Sequence, residues 1–422
     1  MGWWRPLLLA GAIAVWGAVW APAATAQAPI EISQQQAENA FPQGVRFRLT
    51  ATAEGTVQEA RLRYRLLPDG VPALIAAEVT PGPRLEVSLE LGWPRLYIPP
   101  GTTIEYSWEL RDAQGNVVET PVQSFTYTDP RFPFQVEESG PVRLHWYAGG
   151  REQAQRLLQT ARETLERLQA LLGTQVGFPV QVWAYASPQD MREALPRRSE
   201  AYEARVVTAG MKVSSDTVLL AIGAGGLDTL RHELAHIVTA AAGEGPFGDL
   251  PAWLDEGTAV YAQEDPGGYR LAFERARRQD ALLPLASLGS YPGDASKVDL
   301  FYGQSWAFVS YLIETYGEER FARLFATFKR GATVDQALVQ VYGMDTYDLE
   351  NAWRQSLGLP PRPRPQAPAN GPVPTVPPST GPVASPGASG TDWGLLGGII
   401  GGALATAGLI GLGGYALYRR LS

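Results

Sequence analysis

Four stretches in the first third of the chain alternate apolar and polar residues with a period of two. They are Val45, Phe47, Leu49 and Ala51; Ala60, Leu62, Tyr64 and Leu66, set against Arg61, Arg63 and Arg65; Leu85, Val87, Leu89 and Leu91; and Ile104, Tyr106, Trp108 and Leu110. Alternation of this kind gives a strand one buried and one wet face. Residues 112–116, Asp-Ala-Gln-Gly-Asn, then read as a turn into a last strand through Phe125 and Tyr127. Further on the period lengthens. Ala154, Leu157, Leu158, Ala161, Leu165 and Leu168 recur at helical spacing and predict a long amphipathic helix over 151–172.

Short strands with one apolar face each, joined by turns, suggest a small immunoglobulin-like or fibronectin-like β-sandwich over residues 29–132. Residues 140–358 mix strands at 142–147, 179–185 and 216–223 with helices at 187–195, 227–242, 251–263, 269–278 and 302–315. Three more helices fall within 318–357. The fold class expected is α+β, a β-sandwich followed by a mixed domain that ends in a helical lobe.

The two ends differ from the body. Residues 1–26 carry Arg5, an apolar run from Leu7 to Trp20 and the small-residue ending Ala24-Thr25-Ala26, the layout of a cleavable secretory signal. Residues 359–391 turn to proline, alanine, serine and glycine and predict a disordered linker. Residues 393–418 are uncharged and about 39 Å long as a helix, enough to span a hydrocarbon core. Arg419 and Arg420 close the span and belong on the cytoplasmic side, leaving 419–422 as a cytoplasmic tail. These features predict a single-pass cell-membrane protein whose body is extracytoplasmic. Gly397 with Gly401, and Gly398 with Gly402, would let two such helices pack as a homodimer.

A net charge of -8 and no basic tract argue against a nucleic-acid partner. The chain has no cysteine, so a disulfide framework is excluded and any metal site must be built from histidine and carboxylate.

The candidate chemistry lies in one stretch. Two of the three histidines stand in His232-Glu233-Leu234-Ala235-His236. On a helix, residues four apart project from one face, so both imidazoles can converge on one ion. Glu233 is one step round the helix, within reach of a water on that ion, where a general base for hydrolysis must be. Zinc catalysis needs a third protein ligand and an open position. Glu256 is the best candidate, because its helical neighbours Ala252, Trp253, Ala259 and Val260 are apolar and a carboxylate among them needs compensation. Asp228 and Asp255 are near enough in sequence to orient the two imidazoles. His145, opposite Leu144 and Trp146 in its strand, reads as a hydrogen-bonded structural histidine.

His232-Glu233-Leu234-Ala235-His236 followed by Trp253-Leu254-Asp255-Glu256-Gly257 resembles the gluzincin metallopeptidases, in particular the peptidase MA-like group related to thermolysin and aminopeptidase N. The likeness covers about residues 180–316. It implies a zincin-like domain with one Zn2+ held by His232, His236 and Glu256, with Glu233 as base and proton shuttle. It further implies a tyrosine that hydrogen-bonds the oxyanion; Tyr302 is the candidate, with Tyr291 and Tyr311 as rivals. In the resembling fold, the last strand before the motif helix, here 216–223, is a sheet edge on which a peptide can lie. Aminopeptidase N-type enzymes carry Gly-x-Met-x-Asn upstream. The corresponding string here is Ala209-Gly210-Met211-Lys212-Val213, without the asparagine and with lysine where an acid would help. That departure favours endopeptidase action on a peptide or protein substrate. The competing expectation is a non-catalytic surface adhesion or scaffold protein with a structural or inert zinc site.

Overall fold

The computed structural model describes residues 30–197, 208–224, 226–245 and 248–364. The expected signal, the span at 393–418 with its glycine pairs, the tail and all but the first residues of the linker lie outside them. Among the described residues no helix is long and apolar enough to cross a membrane.

The period-two stretches form one antiparallel sheet. It contains β1 (Ile30–Ala40), β2 (Gly44–Leu66), β3 (Ala73–Ala76), β4 (Gly82–Gly92), β5 (Thr103–Asp112), β6 (Val117–Glu119) and β7 (Gln123–Thr126). Two of the expected strands, at 45–51 and 60–66, are the halves of the single long β2. Its first half pairs with β1 and β4, its second with β3 and β5, and the register shifts between Thr52 and Val57. The two halves share one core, in which Phe47 of the first packs its ring 4.7 Å from Tyr106 of β5.

The second sheet has the order β11-β12-β10-β9-β8, from β8 (Gln135–Ser139), β9 (Val142–Trp146), β10 (Val180–Tyr185), β11 (Gly210–Lys212) and β12 (Thr217–Ala221). β9, β10 and β12 run parallel, while β8 and β11 are antiparallel edges. β10 and β12 are buried on both faces, as central parallel strands must be when both sides are covered. Val182, Ala184, Val218 and Leu220 face the helices, beginning with α1 (Gly150–Leu172), which crosses from β9 to β10. The alternate residues Trp183, Tyr185, Leu219 and Ala221 pack on the other face with Phe41 and Tyr97 of the N-terminal region. Tyr97 donates its hydroxyl to Ala194 O at 2.6 Å, and Gln181 Nε2 donates to Gly101 O at 3.1 Å, so the two sheets are joined by polar bonds as well as by burial.

One expectation is corrected here. The strand before the motif helix is not the edge of its sheet: β12 lies between β10 and β11, and among the described residues the three-residue β11 is the edge. A three-residue strand is too short to display a period, which is why the pattern passed it over.

After a short α2 (Pro188–Met191), the helical part comprises α3 (Leu227–Gly243), α4 (Ala252–Ala262), α5 (Gly268–Arg278), α6 (Val298–Tyr316), α7 (Glu318–Lys329), α8 (Val334–Tyr342) and α9 (Thr346–Ser356). Two glycines set how closely the site helices approach. A Cβ on Gly257 of α4 would lie 2.5 Å from Ser305 O of α6, and one on Gly303 of α6 would lie 2.1 Å from Tyr269 O of α5. The expected linker boundary also shifts. Arg362 pairs with Glu350 at 2.6 Å and Arg364 with Asp348 at 2.9 Å, so the chain stays fastened to the body through residue 364, where composition alone placed disorder from 359.

Candidate metal centre

The motif helix α3 buries nearly every residue of its middle turns, including His232, Glu233 and His236. α4 crosses it and buries Glu256 completely. The geometry brings the three expected ligands together: Glu256 Oε2 lies 3.2 Å from His232 Nε2 and 3.6 Å from His236 Nε2. One ligand atom from each residue lies within 4.8 Å of the others, so the cluster could hold a metal ion.

Buried polar atoms normally find hydrogen-bond partners. Here His236 Nε2 and Glu256 Oε2 have none among the described residues, although they face each other. Two imidazoles and a carboxylate converging on one point, with inward atoms left unbonded, are the donor set of a divalent cation such as zinc.

The outward atoms are occupied. His236 Nδ1 is 3.0 Å from Asp255 Oδ2, and His232 Nδ1 is 3.2 Å from Gln263 Nε2. The Asp255 bond fixes the His236 ring with its proton on Nδ1 and leaves Nε2 free to ligate; at His232 the same tautomer requires Gln263 to turn its amide oxygen towards Nδ1–H. Asp228, the other residue considered for this task, bonds elsewhere: it pairs with Arg231 at 2.9 Å and accepts from Glu264 N at 2.8 Å. Tyr291 donates its hydroxyl to Glu256 Oε1. Neither the Gln263–His232 bond nor the Tyr291–Glu256 bond was legible in the sequence, which offers Tyr291 only as a rival oxyanion donor and Gln263 only as the end of a helix.

Glu233 is 1% exposed. Its Oε2 accepts from the Lys212 backbone N–H at 2.8 Å, whereas Oε1 has no partner among the described residues. β11 comes this close because Gly210 has no side chain; a Cβ there would lie 2.7 Å from Thr229 and 3.1 Å from Glu233. Burial raises the Glu233 carboxyl above its ordinary value, against the pull of His232 and His236. Burial by itself would lower His236, but Asp255 and Glu256 push it up to about 10. Asp255 answers the other way: burial would raise it, and His236 brings it down to about 2. A divalent cation at the cluster reverses the preference at His236, because a ligating imidazole is neutral.

Tyr302 lies on α6 one turn inside the helix, not at its start, because α6 begins at Val298 directly after a 3-10 turn capped by Asp294. It is buried, with its ring 6.2 Å from that of His232 and 5.0 Å from that of Tyr269. Burial and the nearby Glu256 hold its phenol well above the ordinary value, so it keeps its proton and can donate it in a hydrogen bond. The rival Tyr311 is bonded to Tyr316 at 3.2 Å. His145 stacks on Trp183 at 3.9 Å and has no part in the cluster.

Residues 160–358 match the family model of the Peptidase MA superfamily. The match supports a zincin-like metallopeptidase domain and, with the cluster above, suggests a metal-dependent peptidase. No curated protein matches the chain. Among solved structures, it is similar to a Br derivative of BhCBM56, with 10% identity, 24% of this chain and 95% of that chain covered, and a TM-score of 0.17. It is also similar to a carbohydrate-binding module family 56 β-1,3-glucan binding domain, with 16% identity, 22% and 95% covered, and a TM-score of 0.16. A family 64 laminaripentaose-producing β-1,3-glucanase from Paenibacillus barengoltzii shows 14% identity, 22% and 20% covered, and a TM-score of 0.16. Scores this low carry no functional argument.

Proposed function

We propose that the chain is a zinc-dependent gluzincin endopeptidase, related to the thermolysin and aminopeptidase N branch and held at the outer face of a membrane by its C-terminal segment. The observation that carries this reading is a buried glutamate, Glu233, with one carboxylate oxygen unpartnered beside the His232, His236 and Glu256 cluster. A purely structural metal site has no need of such an acid; hydrolysis does.

Bound by those three residues, zinc supplies Lewis acidity that acidifies a water and polarises a carbonyl. The chain's own residues do the rest. Glu233 takes the proton of the attacking water, its other oxygen being held by Lys212 N–H, and later delivers that proton to the leaving amine. Tyr302 donates a hydrogen bond to the oxyanion of the tetrahedral intermediate.

Among the described residues β11 is the edge of its sheet, and this reading lays an extended peptide along it, although its Lys212 N–H is already given to Glu233. Lys212 occupies the position where amine recognition would need an acid. Its Nζ donates to His236 O at 3.1 Å and lies 4.0 Å from Glu244. A nearby acid already paired with lysine is poorly placed to receive a substrate's N-terminal amine, which supports cleavage within chains. The N-terminal sheet is read as immunoglobulin-like, since its long β2 pairs with β1 and β4 through its first half and with β3 and β5 through its second. The signal-like 1–26 and the uncharged 393–418 ending in Arg419-Arg420 support the extracytoplasmic placement.

The test is a peptide-library digestion by the full chain in detergent, with and without a chelator, beside the variant Glu233→Gln. Cleavage should need the metal, and Glu233→Gln should retain zinc while losing about 100- to 10,000-fold in turnover. Turnover equal to wild type in Glu233→Gln would remove the mechanism.

A further inference from the structure

We propose that Tyr291 is a positioning residue that makes Glu256 a one-oxygen ligand. The two oxygens of this carboxylate face different partners. Oε2 points at the Nε2 atoms of both histidines and has no hydrogen bond among the described residues, whereas Oε1 accepts the Tyr291 hydroxyl. A carboxylate can grip a cation with one oxygen or with both. A phenol O–H on Oε1 occupies that oxygen and turns it away from the cluster, which leaves a coordination position for water.

Tyr291 is held for this task from several sides. Its ring lies 5.3 Å from that of Phe301. The segment before it is clamped by Gln304, which accepts from Leu283 N at 2.8 Å and donates to Leu283 O at 2.7 Å. Glu350 of α9 accepts from Leu285 N at 3.0 Å. A loop fixed at both its backbone and its ring delivers the hydroxyl to one place, the preorganisation that a supporting residue needs. This assignment also separates Tyr291 from the oxyanion role, because its single proton is already given to Glu256.

The inference rests on the metal-site reading above, and its test keeps the two apart. Zinc affinity of the full chain is measured by competition with a chromophoric chelator for wild type, Tyr291→Phe and Tyr302→Phe, and zinc X-ray absorption is recorded on the wild type and on Tyr291→Phe. The expected result is one tight site in wild type and a 10- to 100-fold weaker site in Tyr291→Phe. Tyr302→Phe should bind as wild type does, and in Tyr291→Phe the absorption spectrum should show Glu256 passing from one-oxygen to two-oxygen coordination, read from a shorter distance between the ion and the carboxylate carbon. Wild type that binds no zinc would sink the metal reading and this one with it. Wild type that binds zinc, with Tyr291→Phe equally tight, would sink only the role of Tyr291. A two-oxygen Glu256 in the wild-type absorption spectrum would overturn it without any variant.

Discussion

The Asp255 carboxylate lies 3.0 Å from Nδ1 of His236, while its chain neighbour Glu256 faces Nε2 of the same ring at 3.6 Å. Two consecutive acids thus bracket one imidazole, one as orienter and one beside the ligating nitrogen. α4 achieves this by crossing α3 so that successive residues fall on either side of the ring. The arrangement predicts that Asp255→Asn weakens zinc binding by about 10- to 100-fold while the fold persists. Competition titration with a chelator measures the first effect and thermal unfolding of the metal-free protein the second. Unchanged affinity would mean that the His236 ring is held by packing alone.

Tyr302 makes a separable prediction. A donor that contacts only the developing oxyanion strengthens the transition state and leaves substrate binding alone. Tyr302→Phe should therefore lower kcat by about 100- to 1,000-fold with KM near wild type. If KM rises and kcat holds, the ring packs against substrate and another group meets the oxyanion. Tyr269, stacked on Tyr302 at 5.0 Å, is then the next residue to test.

The site was legible where the chain had to solve a burial problem with polar residues. α3 spans Leu227–Gly243 against an expected 227–242, because its apolar positions recur at helical spacing up to the point where the pattern stops. Glu256 stood out because a carboxylate among Trp253, Ala259 and Val260 is costly without a partner, and the geometry supplies two imidazoles and a phenol. What the sequence hid was structure without a period. β11 has three residues, Tyr291 sits in a loop, and Gln263 stands just past the end of α4. The start of α6 was placed four residues late, since its cap, Asp294, precedes a 3-10 turn and not the apolar stripe. The joint between the two sheets was hidden as well, because Trp183 and Tyr185 read as ordinary core while they pack against Phe41 and Tyr97.

Gly257 ties helix packing to the site. A methyl group there would meet Ser305 O at 2.5 Å and Val309 at 2.7 Å, contacts that only separation of α4 from α6 can relieve. Gly257→Ala should cost about 1 to 3 kcal/mol of stability, as overpacking a close helix crossing does. It should also loosen zinc binding, because Glu256 is the preceding residue. Gly268→Ala, whose added methyl meets nothing within 4 Å, serves as the control and should match wild type. Urea unfolding of the chelator-treated proteins reads the stability, and equal midpoints for Gly257→Ala and wild type would contradict the close crossing.

His145 gives the fold a pH dependence of its own, away from the metal centre. Its ring stacks on Trp183 at 3.9 Å and its Nε2 is 3.2 Å from Gln181 Oε1, and Gln181 also bonds Gly101 across the joint between the sheets. Burial drives its pKa down to about 4, against the opposing pull of Gln181. In the unfolded chain a histidine titrates near 6.5, so as pH falls the unfolded chain takes up this proton first. The stability held by the neutral ring is therefore complete above about pH 6.5 and is lost as pH falls towards 4, by roughly 3 kcal/mol at most. His236 titrates too, so the quantity to measure is the stability difference between wild type and His145→Gln at each pH, in which its contribution cancels. That difference should shift against wild type between pH 6.5 and 4.5 and stay constant above 7. A difference that does not move with pH would show that the His145 ring can take up its proton within the folded state at no cost.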